Sequence, residues 1–351
     1  MLTPYSYTLF VDPSGNNSTA VIGDYTKPWQ TINAAINYAG TSSQPTGGYT
    51  IHVFRGNYTA TQSVTYTAGK SLSLFFEPNA NLTVSFTTAN YWFIHDGGTS
   101  STVDICGSGR STNSITSNYG VFKIGDGNTQ PDATSCILDI NNISIYSSNT
   151  SNYSASGDGV VIWADESTVR IDNSIIALTA AAAANIYQYV IYIQASYLSV
   201  MSSTIEMNSQ TIQAGNANGS NSGWLIFEGA IPTNDVGRIR LQNTYLSHIG
   251  PFGGGAILTT PSSLTGSVFL ANVYFHCVAG DKMWTLYNNS GSKTDNLFLG
   301  GSLISGAQAP TSTGSGLTGA IFTQYPSQAN NNMAIYFASG TSALIKTNRP
   351  Y

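Results

Sequence analysis

Apolar and polar residues alternate along most of this chain in short bursts, and one burst recurs. It reads Leu138-Asp139-Ile140-Asn141-Asn142, then Val169-Arg170-Ile171-Asp172-Asn173, then Leu198-Ser199-Val200-Met201-Ser202. It returns as Ile239-Arg240-Leu241-Gln242-Asn243, Val268-Phe269-Leu270-Ala271-Asn272 and Leu297-Phe298-Leu299-Gly300-Gly301. Successive copies begin 31, 29, 41, 29 and 29 positions apart. Each is apolar at its first and third positions and ends on Asn, Ser or Gly. A short repeat made of strands cannot bury its own apolar face, so repeats must stack to form a core.

Two further strands accompany each copy. One set includes Gly159 to Ala164, Tyr189 to Gln194, Trp224 to Glu228, Gly255 to Thr259 and Met283 to Tyr287, with earlier members at Tyr91 to His95 and Gly120 to Ile124. The other is a short apolar step: Ile175-Ile176, Thr204-Ile205, Tyr245-Leu246, Tyr274-Phe275 and Leu303-Ile304. Three short strands per turn of about 30 residues predict an all-β, single-stranded parallel β-helix. About ten rungs at ~4.8 Å each would make a rod on the order of 50 Å long. The fifth positions Asn142, Asn173, Ser202, Asn243 and Asn272 would then line one corner as a structural ladder. Asn and Gly tolerate the left-handed backbone a tight corner needs, and stacked amides bond to one another.

The start of the chain has another texture. Trp29 to Ala39 places Ile32, Ala35, Ile36 and Ala39 on one face, which predicts a helix over 29–39 begun by Thr31 or Thr26. A strand at Tyr49 to Phe54 follows. The helix would cover the open apolar end of the rod, whose strand edges need protection. The tail beyond 305 loses the repeat, becomes rich in Gly, Ser and Thr, and predicts closing strands at Ile321-Phe322, Met333 to Phe337 and Ala343 to Ile345. The organisation is one domain: a cap and first rung over 1–60, rungs over 61–304, and a closing tail over 305–351.

The run Val11-Asp-Pro, then Lys27-Pro-Trp-Gln-Thr-Ile-Asn-Ala-Ala-Ile36, then Ile51-His-Val-Phe-Arg-Gly-Asn-Tyr58 resembles the start of pectin-lyase-like right-handed parallel β-helix proteins. That resemblance implies a right-handed coil with an N-terminal capping helix. The superfamily includes polysaccharide lyases, polygalacturonases, pectin esterases and phage tailspikes. In its low charge and its wealth of Asn, Ser and Tyr this chain is closest in character to the viral members, some of which are trimers.

Composition narrows the function. Of 351 residues 41% are apolar, enough for a continuous core, yet only 8% are charged, against about 25% in ordinary domains. Net charge is −5, with 12 Lys and Arg scattered along the chain. No basic run exists to neutralise phosphates, which argues against nucleic acid as a partner. No apolar run is long enough to span a membrane. The first residues lack a charged n-region and an apolar h-region. The expected location is a virion or the extracellular space, with no signal peptide in view, either by release with a particle or because the chain is a trimmed mature form. The cysteines Cys106, Cys136 and Cys277 lack metal or redox spacing and read as buried free thiols. His52, His95, His248 and His276 have no ligand spacing, so no metal and no cofactor is expected.

Alternation sends the second and fourth residues of each phrase outward. Down the rod this gives Asp104, Asp139, Arg170, Ser199, Arg240, Phe269 and Phe298, with Asp172 at a fourth position. Asp104, Asp139, Asp172 and Arg170 are therefore the candidate catalytic residues if the chain is a glycoside hydrolase or lyase. The superfamily's Asp-Asp doublet and Gly-His-Gly are absent. Asp139 beside Arg170 reads as a surface charge pair, and Asp165-Glu166 as a solvated turn. The favoured reading is a non-enzymatic structural protein of a particle surface, with other virion proteins as partners and a host polysaccharide as ligand. Phe269 and Phe298, stacked outward, predict a cover, either the C-terminal segment folding back or, the favoured reading, a second copy contacting the C-terminal half, as in a homotrimer.

Overall fold

In the computed structural model, residues 7–41, 45, 47–67, 69–95, 101–125, 136–148, 159–180, 188–209, 223–228, 238–249, 254–259, 267–271, 273–278, 283–288, 296–300, 303–305, 323–324 and 334–337 are described. Beyond Asn208, side chains are described at Leu225, Ile226, 239–248, Ile257 and Val273. The described chain is nearly all strand, with one short helix, α1, at Ile32–Thr41. Its strands form three parallel sheets of eleven, nine and nine strands. Sheet A holds Thr8–Val11, Tyr49–Val53, Leu72–Phe76, Thr102–Gly107, Ile137–Asn141, Thr168–Asp172, Tyr197–Met201, Arg238–Gln242, Ser267–Ala271, Asn296–Gly300 and Ala334–Phe337 in chain order. Each sheet A strand from Tyr49–Val53 to Asn296–Gly300 is followed by one strand of sheet B and one of sheet C before the chain returns. This cyclic visiting of three parallel sheets is consistent with a parallel β-helix.

Register explains why the stack coheres. Leu138, Val169, Leu198, Ile239, Val268 and Leu297 are direct partners on successive strands, as are Ile140, Ile171, Val200, Leu241, Leu270 and Leu299. Those with described side chains are buried in one core, together with Ile145, Ile176 and Ile205 of sheet B and Phe122, Ile162 and Ile191 of sheet C. In sheet C the opposite face is buried too. Trp163 and Tyr192 stack there with ring planes 4° apart, and Lys123 Nζ sits 5.0 Å above the Trp163 ring.

The corner between sheets A and B is tight. Asn142, Asn173, Ser202 and Asn243 have φ of 56°, 45°, 51° and 50°. Their left-handed conformation turns the chain within two residues. The amides of Asn142, Asn173 and Ser202 donate to Asp172, Met201 and Gln242 carbonyls of the next strand, at 3.2, 3.1 and 3.0 Å. Asn173 Nδ2 donates to Asn142 Oδ1 at 2.5 Å. Asn272 lies outside the described residues. Just inside this column runs a second one, absent from the sequence reading. Ser174, Ser203 and Thr244 are buried, and their hydroxyls donate to the carbonyls of Asp172, Met201 and Gln242. Ser174 Oγ accepts from the Ile143 amide and Ser203 Oγ from the Ser174 amide. The corner from sheet C to sheet A repeats the device. Glu166 and Ala195 have positive φ, and Ser167 and Ser196 donate to the carbonyls of Asp165 and Gln194. At the same level Gly125 has φ +98°, and a Cβ there would lie 2.1 Å from the Asp165 carbonyl oxygen. Asp165 is thus the buried last residue of Val160–Asp165, not part of a solvated turn.

Helix α1 starts later than its apolar period suggests. The Trp29 amide donates to the Phe10 carbonyl and the Trp29 carbonyl accepts from Asp12, so Trp29 joins a β-bridge to Val11. Thr31 then caps the helix, its Oγ1 accepting from the Ala34 amide at 3.3 Å. Ile32, Ala35, Ile36 and Ala39 are buried in the same cluster as Leu9, Val11, Ile51 and Val53. Trp92 Nε1 donates to Asn33 Oδ1, and Asn33 Nδ2 to the Gln62 carbonyl, tying α1 to the strands beside it. At the other end Thr323–Gln324 and Ala334–Phe337 extend sheets C and A, and residues 343–345 lie outside the described residues.

Replacing Asn173 by Leu removes the side-chain hydrogen bond to Asn142 and puts a side chain with no local hydrogen-bonding group into a left-handed backbone. The expected loss is about 1–3 kcal/mol, read by chemical denaturation; an unchanged midpoint would refute the role of the corner. Ser174→Ala, which leaves the Ile143 amide without its buried acceptor, is expected to cost about 1–2 kcal/mol in the same assay.

Candidate functional site

Two outward columns of sheet A gather most of the chemistry singled out in the sequence. The first runs Ser73, Asp104, Asp139, Arg170, Ser199, Arg240, Phe269, Phe298 and Tyr336 as direct strand partners. The second runs Phe10, His52, Phe75, Cys106, Asn141, Asp172, Met201 and Gln242. Asp104, Asp139, Arg170 and Asp172 therefore share one wall. The side chains of Phe269 and Phe298 lie outside the described residues; their backbones are adjacent partners.

The acids of the first column bond to the wall itself. Ser73 Oγ donates to Asp104 Oδ2 at 2.9 Å. Asp104 and Asp139 are direct partners on adjacent strands. Arg170 Nη1 lies 3.5 Å from Asp139 Oδ2, with the Arg170 side chain 53% exposed and that of Asp139 19%. Asp139 Oδ1 is buried without a hydrogen-bond donor. Burial pushes the Asp139 carboxyl above its usual range; Arg170 pulls it down, and Asp104 pushes it up again. The cause is physical: one face of the carboxylate has lost water and the neighbour across the strand carries like charge. Asp172 is exposed on the next strand, two residues along. Strand spacing and rise put its Cα about 8 Å from that of Asp139.

Nearer the cap the wall becomes aromatic, which sequence reasoning missed. His52 lies 5.2 to 5.8 Å from the rings of Phe10, Phe54 and Phe75, and its Nε2 is 2.8 Å from Glu77 Oε1. Tyr25 packs edge-on to Phe10. Phe10, His52 and Phe75 share a column but lie at irregular sequence intervals, so no repeat spacing announced them.

His95, scattered in sequence, is buried in the core: Nδ1 is 2.8 Å from the Tyr66 carbonyl and Nε2 is 2.6 Å from Ser101 Oγ. Carbonyls are acceptors, so Nδ1 carries the proton and Ser101 donates to Nε2. Both groups are walled off from solvent, which leaves this Ser–His contact without access to a substrate. Among the described residues Cys106 and Cys136 are free thiols. Cys136 is buried; Cys106 is half-buried, and burial followed by the nearby Asp104 raises its thiol pKa. No group of three or more His, Cys, Asp or Glu side chains converges as a metal site among the described residues. No described helix is long and apolar enough to cross a membrane.

No protein-family model, curated protein or solved structure matches this chain. Its chemistry has to be read from its own geometry.

Asp139 yields a pH test. A carboxyl whose folded pKa is raised contributes stability that is full below the unfolded value, about 3.9, and is lost as pH rises through the folded value. Asp139→Asn removes that loss. The variant is expected to melt above the parent at pH 7 and to converge with it below pH 4. A gap that widens toward acid would overturn the assignment.

Proposed function

We propose that this chain is a right-handed parallel β-helix of about ten rungs, serving as a non-enzymatic structural rod on a virus particle or other extracellular assembly. Strand counts of eleven, nine and nine support the rung number. A parallel crossover returning to the same sheet is right-handed in about 98% of cases, which supports the hand. The resemblance to viral β-helices supports the location, a multimeric state such as a homotrimer, and a host glycan or other particle proteins as partners. The low charge, 8% of residues, fits a surface that meets other surfaces rather than nucleic acid.

One observation carries the non-enzymatic reading. The wall's stacked acids are engaged with their own strand neighbours: Asp104 with Ser73, Asp139 with Arg170. Asp139, with one oxygen buried and the other turned to Arg170, does not offer the open face that a glycosidase carboxyl needs toward its sugar.

A second reading rests on Asp139 with Asp172. A carboxyl of raised pKa suits a general acid, and the exposed Asp172 on the next strand would be its base. In that reading the protein is a polysaccharide-active hydrolase or lyase, with Arg170 between the two acids.

The test is incubation with a panel of neutral and acidic polysaccharides. The structural reading expects no new reducing ends and no unsaturated sugars. Release that disappears in Asp139→Ala and Asp172→Ala would establish the enzyme instead.

A further inference from the structure

The first three strands of sheet A carry an outward array whose three columns differ in chemistry. Thr8, Thr50 and Ser73 are direct partners in one column, and Phe10, His52 and Phe75 in the next. Two positions further along come Asp12, Phe54 and Glu77. There the Phe54 amide donates to the Val11 carbonyl and the Glu77 amide to the Val53 carbonyl. Aromatic rings thus run between a row of hydroxyls and a row that holds two carboxylates. Phe75 ends the ring column 36% exposed, with the His52 ring edge-on to it at 5.3 Å. The carboxylates are pinned. Glu77 Oε1 is 2.8 Å from His52 Nε2, and Glu77 Oε2 accepts from the Arg55 amide at 3.4 Å. Asp12 Oδ1 accepts from the Ser14 amide and hydroxyl at 2.8 and 2.6 Å. Each carboxylate keeps acceptor sites for a further donor.

We propose that this array binds a neutral sugar of a glycan, with one pyranose ring lying on Phe75. The proposal rests on the host-glycan partnership read above and adds its site and charge class. A pyranose is apolar on its C–H face and carries hydroxyls around its rim. The negative face of an aromatic ring attracts such C–H groups. A sugar seated on Phe75 has the hydroxyls of Ser73 and Thr50 at one side and Glu77 with His52 at the other. A carboxylate accepts sugar hydroxyls in charge-assisted bonds, the stronger kind. Other ligand classes fit this pattern less well. Asp12, Glu77 and, beside Ser73 on the next strand, Asp104 repel phosphates and acidic sugars. Glu77 and Asp104 flank the ring from opposite sides, so they do not converge as a metal site requires. A protein hot spot calls for a wide apolar centre inside a polar rim, whereas here polar groups stand directly beside one exposed ring.

A printed array of neutral and acidic oligosaccharides, probed with the full chain, tests this. Binding to neutral glycans and none to acidic ones is expected. Saturation-transfer NMR on the strongest neutral glycan should mark the C–H groups of one sugar face. Phe75→Leu keeps the apolar volume but removes the ring, and is expected to weaken binding on the order of tenfold. Glu77→Gln keeps the shape and removes the charge, with a loss of the same order. Phe75→Trp should retain binding. Tyr146→Ala, at an exposed ring on sheet B, should have no effect. Melting temperatures confirm that each variant folds. Glycan binding indifferent to Phe75→Leu and Glu77→Gln would overturn this site while leaving the glycan partnership standing. Binding to acidic glycans alone would overturn it in the same way. A blank array would remove both.

Discussion

The hydrogen bond that crosses the corner between sheets A and B is the constraint on which this structure depends. A strand ladder ordinarily ends where the chain turns. Here a left-handed residue keeps its amide aimed at the next strand, and a buried hydroxyl behind it takes up the carbonyl just before the turn and an amide just after. The ladder therefore continues around the bend. A buried backbone group without a partner costs about 1–3 kcal/mol, so a corner lacking this device would lose that amount at every level. Side-chain burial gives the stack its driving force and excludes one-residue slips, which would turn the apolar face outward. Where the corner is held to two residues, from 142–143 to 243–244, it excludes two-residue slips as well.

Much of this architecture was legible. The apolar first and third positions of the phrase are the inward residues of sheet A, and they pair with one another down the sheet. The 41-residue interval between Leu198 and Ile239 does not disturb the register. Its extra length falls between Thr204–Ser209 and Arg238–Gln242, on either side of a sheet C strand. Other features were not legible, for physical reasons. The hydroxyl columns hid in the Asn-Ser, Ser-Ser and Asn-Thr doublets, because a serine is as common in a solvated loop as in a buried corner. Helix α1 starts at Ile32 rather than Trp29 because a tertiary β-bridge claims the Trp29 backbone. Periodicity cannot see such a bond.

The candidate site was legible as a set of residues and not as an environment. Alternation puts Asp104, Asp139, Arg170 and Asp172 on one wall. It does not say that Ser73 holds Asp104, or that one oxygen of Asp139 is dry. Those facts depend on rotamers and on the neighbours one strand away, and they separate a charge-bonded seam from an open acid pair. The aromatic ring around His52 was hidden for a different reason. Its members come from the cap, where intervals are irregular, and they converge only after the first three strands of sheet A pair.

The narrow corner also divides the molecule into a conserved-length side and a free side. From Ile137–Asn141 to Arg238–Gln242 each turn between sheets A and B is held to two residues, after longer ones at 77–79 and 108–113, whereas the chain around sheet C changes length from rung to rung. A lineage of such proteins could vary what it displays beside sheet C, by insertion or deletion, while the geometry of the opposite edge stays fixed. It could also grow or shrink by whole rungs, since each corner refers only to its two neighbours. The fold thus separates the part of the surface that experiments with sequence from the part that keeps copies in step.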